Sequence, residues 1–148
     1  MARENRILRR SAIIVGSLNQ EVMNMKLKEI VIILVHALIG WVLCFATIGI
    51  GMAVTTLNNA LIIHAIAAPI IFMIISMVYF RKYNYTSPLL TALIFVGLIM
   101  VMDFFVVAML INRSFDMFTS LLGTWIPFGL IFLSTLLTGL FITRADSK

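Results

Sequence analysis

Four apolar stretches, each longer than about 18 residues and nearly free of charge, set the limits on this chain, because that is the length a helix needs to cross a hydrocarbon core of roughly 30 Å. They fall at about residues 30–54 (IVIILVHALIGWVLCFATIGIGMAV), 60–80, 88–111 and 118–142. The connections TTLNN, RKYNYTS and NRSFDM are too short to hold a domain. Each helix therefore returns beside the one before it. The expected fold is an all-α membrane protein with four transmembrane helices in an antiparallel up-down bundle over residues 30–142. A basic segment, residues 1–29, precedes it, and a short tail, 143–148, follows. Ser87 before Pro88 reads as an N-cap with proline at the first helical position, and Asp116 reads as the cap of the fourth helix.

Composition agrees. The 148 residues are 62% hydrophobic and 11% charged, with a mean hydropathy of +1.12, whereas soluble domains sit near a quarter charged. The first apolar run far exceeds the h-region of about 7 to 15 residues in a signal peptide, and no A-x-A-like site follows it. WVLC has no small residue before Cys44, which argues against a lipoprotein, and a single cysteine forms no intrachain disulfide.

Cytoplasmic flanks of membrane helices are enriched in lysine and arginine, so these residues indicate the threading. Arg3, Arg6, Arg9, Arg10, Lys26 and Lys28 precede the first span, Arg81 and Lys82 lie in the second connection, and Arg144 and Lys148 in the tail. Of eleven basic residues only Arg113 falls on the other side. Both termini are expected in the cytoplasm, with the plasma membrane as the location. The net charge of +5 is then a threading signal, and no nucleic-acid partner is expected. Within the amino-terminal segment Ile7, Ile14, Val15, Leu18 and Val22 fall near one helical face with arginines elsewhere. Two readings fit: a helix lying on an anionic leaflet, or a basic tail broken at Gly16.

Depth along each helix follows from a rise of about 1.5 Å per residue. His64 and Asp103 then share the outer half of the bilayer, so that a hydrogen-bonded pair is allowed, while His36 lies in the inner leaflet. An aspartate near a helix centre costs roughly 2.5 to 3.5 kcal/mol on insertion scales. Asp103 needs a partner or a proton, since its near neighbours Ile99, Met100, Val106 and Val107 are large and apolar. His64 shares a face with Ala60, Ala67 and Ala68, small enough to admit another backbone closely. A similar seam runs through His36, Gly40, Cys44, Thr47 and Gly51 on the first span, and another through Ser120, Thr124, Pro127, Ser134 and Thr138 on the fourth. Pro69 and Pro127 are expected to kink their helices. Trp125 fits an interfacial anchor, and Tyr79, Tyr83 and Tyr85 an aromatic belt at the cytoplasmic side. Trp41, near the midplane, is expected to pack into the gap at Gly40; the sharper alternative is a ring lining a ligand pocket.

Several chemistries are missing. Four-helix disulfide and quinone oxidoreductases need cysteine pairs. A retinal Schiff base needs an intramembrane lysine. Bis-histidine haem needs two ligands at one depth, and His36 and His64 differ by roughly 15 Å along the membrane normal. There is no HExxH, GxSxG, phosphate loop or paired acidic metal motif. No cofactor, no metal and no catalytic group are therefore expected. Two functional classes lead, with an enzyme or haem protein third. In one, His64 and Asp103, with Ser120, Thr124 and Trp125 beside them, bind or translocate a proton or small polar solute. In the other, the same residues join helices in a noncatalytic accessory or assembly subunit. Either fits a homo-oligomer or a subunit of a membrane complex.

Overall fold

A computed structural model describes residues 2–145; among them the side chains of 2–5, 112, 116 and 117 are not described. Lys148 and the side chain of Asp116, to which the sequence assigns a helix cap, therefore lie outside the described residues. The chain divides into two units, Met1–Val31 and Ile32–Lys148.

In the first unit, α1 (Ala2–Asn24) is a single helix that passes unbroken through Gly16, where a break is one of the two sequence-based expectations. Ile7, Ile14, Val15 and Val22 are exposed along it, and by helical spacing Arg6 and Arg9 lie on the opposite side. It stops at Met25 and Lys26, where the Glu29 carboxylate accepts a hydrogen bond from the Lys26 backbone N–H at 3.0 Å and opens the next helix.

The second unit holds most of α2 (Leu27–Val54), then α3 (Leu57–Lys82), α4 (Pro88–Met102) and α5 (Ile126–Ala145). α4 runs on as a π-helical segment, Asp103–Asn112, and α5 is preceded by a 3₁₀ turn, Asp116–Thr119, and a π turn, Leu121–Trp125. With these extensions four helices are long and apolar enough to cross a membrane: Leu27–Val54, Leu57–Lys82, Pro88–Ile111 and Leu121–Ala145.

Caps define the ends. Thr56 accepts from the Asn59 N–H at the start of α3, and Ser87 accepts from the Leu90 N–H with Pro88 at the first helical position. The fourth span departs from expectation. Its cap is Ser120, whose hydroxyl oxygen accepts from the Gly123 N–H at 3.0 Å. Pro127 is the second residue of α5, which follows directly on the π turn. A proline ring clashes with the carbonyl four residues back in an α-helix, and the wider π turn just before Pro127, closed by the Ile126 N–H on the Leu121 carbonyl, answers that clash. α3 continues as one helix through Pro69.

In lipid there is no hydrophobic driving force between helices, so close fit and interhelical hydrogen bonds must hold them together. α5 packs along α3 and α4. The small residues supply the fit: Gly40 of α2 is filled by the Phe72 ring, Gly51 meets Ala60, and Gly139 of α5 lies against Phe80 and Pro88. Around Phe72, Phe80 and Phe95 the aromatic rings meet mostly edge to face, for example Phe72 and Phe95 with centroids 5.7 Å apart, an arrangement worth about 0.5 to 1.5 kcal/mol per pair beyond burial.

Tyr79 is at the centre of this cluster and fully buried, which removes it from the expected aromatic belt. Its hydroxyl lies 2.8 Å from Thr86 Oγ1, which lies 2.7 Å from Thr91 Oγ1. Thr91 donates its one hydroxyl proton to the Ser87 carbonyl at 3.0 Å. Proton counting then orients the whole chain: Thr86 donates to Thr91, and Tyr79 donates to Thr86. The second connection is in this way tied into the packed interior.

Candidate functional site

Asp103 sits where the third span changes from α to π geometry. A π segment is rare and frequently marks a functional position. The Trp41 indole N–H of α2 donates to Asp103 Oδ1 at 2.8 Å. Trp41 is fourteen residues past Leu27, and Asp103 fifteen past Pro88, so the two reach the same level of their spans. This is the partner the carboxyl group needs, and it is not His64. Trp41 also leaves the glycine gap, which Phe72 occupies.

Beside this pair is a cavity of about 520 Å³. Trp41, Phe45 and Phe128 give it aromatic walls, and Leu61, Ile99, Val107 and Ile131 aliphatic ones. Its polar lining comes from His64, Asp103 and Ser120, with Cys44 beside them. Four spans contribute to it. Trp41 and Phe45 stack with centroids 5.6 Å apart and an interplanar angle of 20°, one helical turn apart on α2.

His64 is 6% exposed, and its Nδ1 has no hydrogen-bond partner among the described residues. Such an atom in an apolar interior costs about 1 to 3 kcal/mol unless something satisfies it. The same holds for the hydroxyls of Ser76 and Thr135, but those two do not line the cavity. His64 and Asp103 thus face one cavity without bonding each other.

The remaining sequence candidates separate. Ser120 lines the cavity while its oxygen caps Gly123. Thr124 is buried but does not line the cavity. Trp125 is 51% exposed and donates its indole N–H to the Phe118 carbonyl at 3.0 Å. On α2, Cys44 is buried at the cavity wall and the Thr47 hydroxyl donates to the Leu43 carbonyl. His36 Nδ1 lies 2.8 Å from the Ile32 carbonyl, and its ring meets Tyr79 and Tyr83 edge-on at 5.6 and 5.3 Å. Pro127 lines the cavity and Pro69 does not. Among the described residues no three His, Cys, Asp or Glu side chains come together as a metal site.

Comparison with protein-family models, with curated proteins and with solved structures finds no match to this chain.

Proposed function

We propose that this chain is a ligand-binding membrane protein whose cavity receives, and passes on, a proton or a small solute through the solute's polar group, with Asp103 and His64 as the groups that meet it. One observation carries the reading: His64, whose buried Nδ1 has no partner among the described residues, and Asp103, whose carboxyl group is held by a single donor, line the same cavity. An intramembrane ionisable residue facing a cavity is a functional position by default, because lipid-facing placement is so costly. In this proposal the spans form an antiparallel up-down bundle in the plasma membrane with both termini cytoplasmic. The meetings of Gly51 with Ala60 and His36 with Tyr79, and the concentration of basic residues on one set of flanks, support that threading. α1 then lies along the anionic inner leaflet, its exposed apolar face in the acyl boundary and its arginines at the headgroups.

The test is flux in proteoliposomes loaded with a pH-sensitive dye. Asp103→Asn should abolish proton movement that the wild type supports, with both proteins equally folded. Equal rates in both overturn the reading.

The alternative, an accessory or assembly subunit, is favoured by glycines that face open space, among them Gly97 of α4 and Gly129 of α5. Each admits close approach by a helix from another chain or another copy. In that reading His64→Ala lowers recovery of the assembled complex and leaves flux unaltered.

A further inference from the structure

We propose that the cavity takes a protonated amine with an apolar body, its ammonium group seated at the Asp103 carboxyl beside the Trp41 and Phe45 rings; this rests on the reading of the cavity as a binding site. The one side-chain carboxyl group in the lining is that of Asp103. The Trp41 N–H is already directed to Asp103 Oδ1, which leaves the second carboxyl oxygen without a described partner. The lining includes no lysine or arginine, so no side chain supplies a counter-charge. His64 also lines the cavity, and a neutral imidazole carries one acceptor nitrogen. An ammonium group brings three donors and one positive charge to these atoms.

The aromatic walls point the same way. The bond from the indole N–H fixes the Trp41 ring beside the carboxyl group, and Phe45 stacks on it. A cation within about 6 Å of such ring faces is attracted to them, more strongly when desolvated. The rest of the wall is aliphatic, and about 520 Å³ lies within the range of roughly 300 to 1,000 Å³ typical of small-molecule sites. An anion would meet a carboxyl group with no compensating cation.

The experiment measures binding by equilibrium dialysis to the full chain in phosphatidylcholine nanodiscs, with empty discs subtracted. The probes are three ligands of one shape: 4-phenylbutylamine, 4-phenylbutan-1-ol and 4-phenylbutyrate. The amine should bind at least about ten-fold more tightly than the alcohol, in line with the strength of hydrogen bonds to charged groups, and the carboxylate should not bind. Asp103→Asn should bring the amine down to the level of the alcohol. The proposal is overturned if the alcohol or the carboxylate matches the amine, or if Asp103→Asn leaves the amine unaffected. Should Asp103→Asn not fold, the ranking on the wild type decides alone, and a preference below ten-fold overturns it. Leu61→Trp, which fills the cavity without touching Asp103, separates the two levels. If the alcohol or carboxylate binds best and Leu61→Trp abolishes that binding, the cavity stands as a site and the amine fails. If no probe binds the wild type, both fail.

Discussion

The two ends of the helix bundle solve the same problem in opposite ways. At the end holding Tyr79, Phe80 and Gly139, rings fill the glycine gaps, and the hydroxyls of Tyr79, Thr86 and Thr91 pass one proton chain to a backbone carbonyl. At the end holding Asp103 and His64, the interior is open, two segments are π-helical, and a buried ring nitrogen has no described partner. The first end is filled by packing, although the buried hydroxyls of Ser76 and Thr135 near it have no partner among the described residues. The open end carries Asp103, the one Asp or Glu in the interior of a span. Its openness is thus located at that interior carboxyl group.

That contrast can be broken by substitution. The largest effect is expected for Gly139→Val, since even a Cβ at this position would lie 2.7 Å from the Phe80 ring. A loss of about 3 kcal/mol or more is expected from overpacking, seen as loss of the monodisperse species in mild detergent, whereas Gly129→Ala, which faces open space, should leave it intact. Next is Thr86→Val, which strips the acceptor from Tyr79 and the donor from Thr91; thermal unfolding should report a cost of about 2 kcal/mol. Trp41→Phe at the open end removes the Asp103 donor, with about 1 to 2 kcal/mol expected and a change in any flux that depends on Asp103. The smallest effect belongs to Leu61→Phe, which grows into the cavity and should shift stability by less than about 0.5 kcal/mol. The matching enlargement Ala92→Leu at a fully buried position should cost about 1 to 3 kcal/mol. Similar costs for Leu61→Phe and Ala92→Leu would erase the distinction between the ends.

The spans were legible from apolar run length, and the cap at Ser87 from the serine–proline pair. Helix rise alone led to the expectation that His64 and Asp103 share a level, and both line one cavity. Their bonding did not follow, because depth leaves rotation about the helix axis open. The Trp41–Asp103 bond had a readable signal. The first and third spans carry an indole donor and a carboxyl acceptor at nearly equal distances from their starts, but counting the first span from Ile30 rather than Leu27 set Trp41 apart. The π segments had no signal, since an unbroken apolar run reads alike at 3.6 or more residues per turn. Thr86 was hidden for a different reason: RKYNYTS has the composition of a surface loop, and only the fully buried Tyr79 hydroxyl shows that the connection turns inward.

The central claim is that Trp41 and Asp103 form the floor of a ligand-accessible cavity, and the chain carries a built-in probe for it. It has two tryptophans, one at the cavity and one exposed at Trp125, so a ¹⁵N–¹H spectrum of the protein in nanodiscs holds two indole signals, assignable through Trp125→Phe. Asp103→Asn should move the Trp41 indole signal and leave that of Trp125 in place, and titration with 4-phenylbutylamine should again move Trp41 alone. A Trp41 signal indifferent to both, or a response confined to Trp125, would contradict the account.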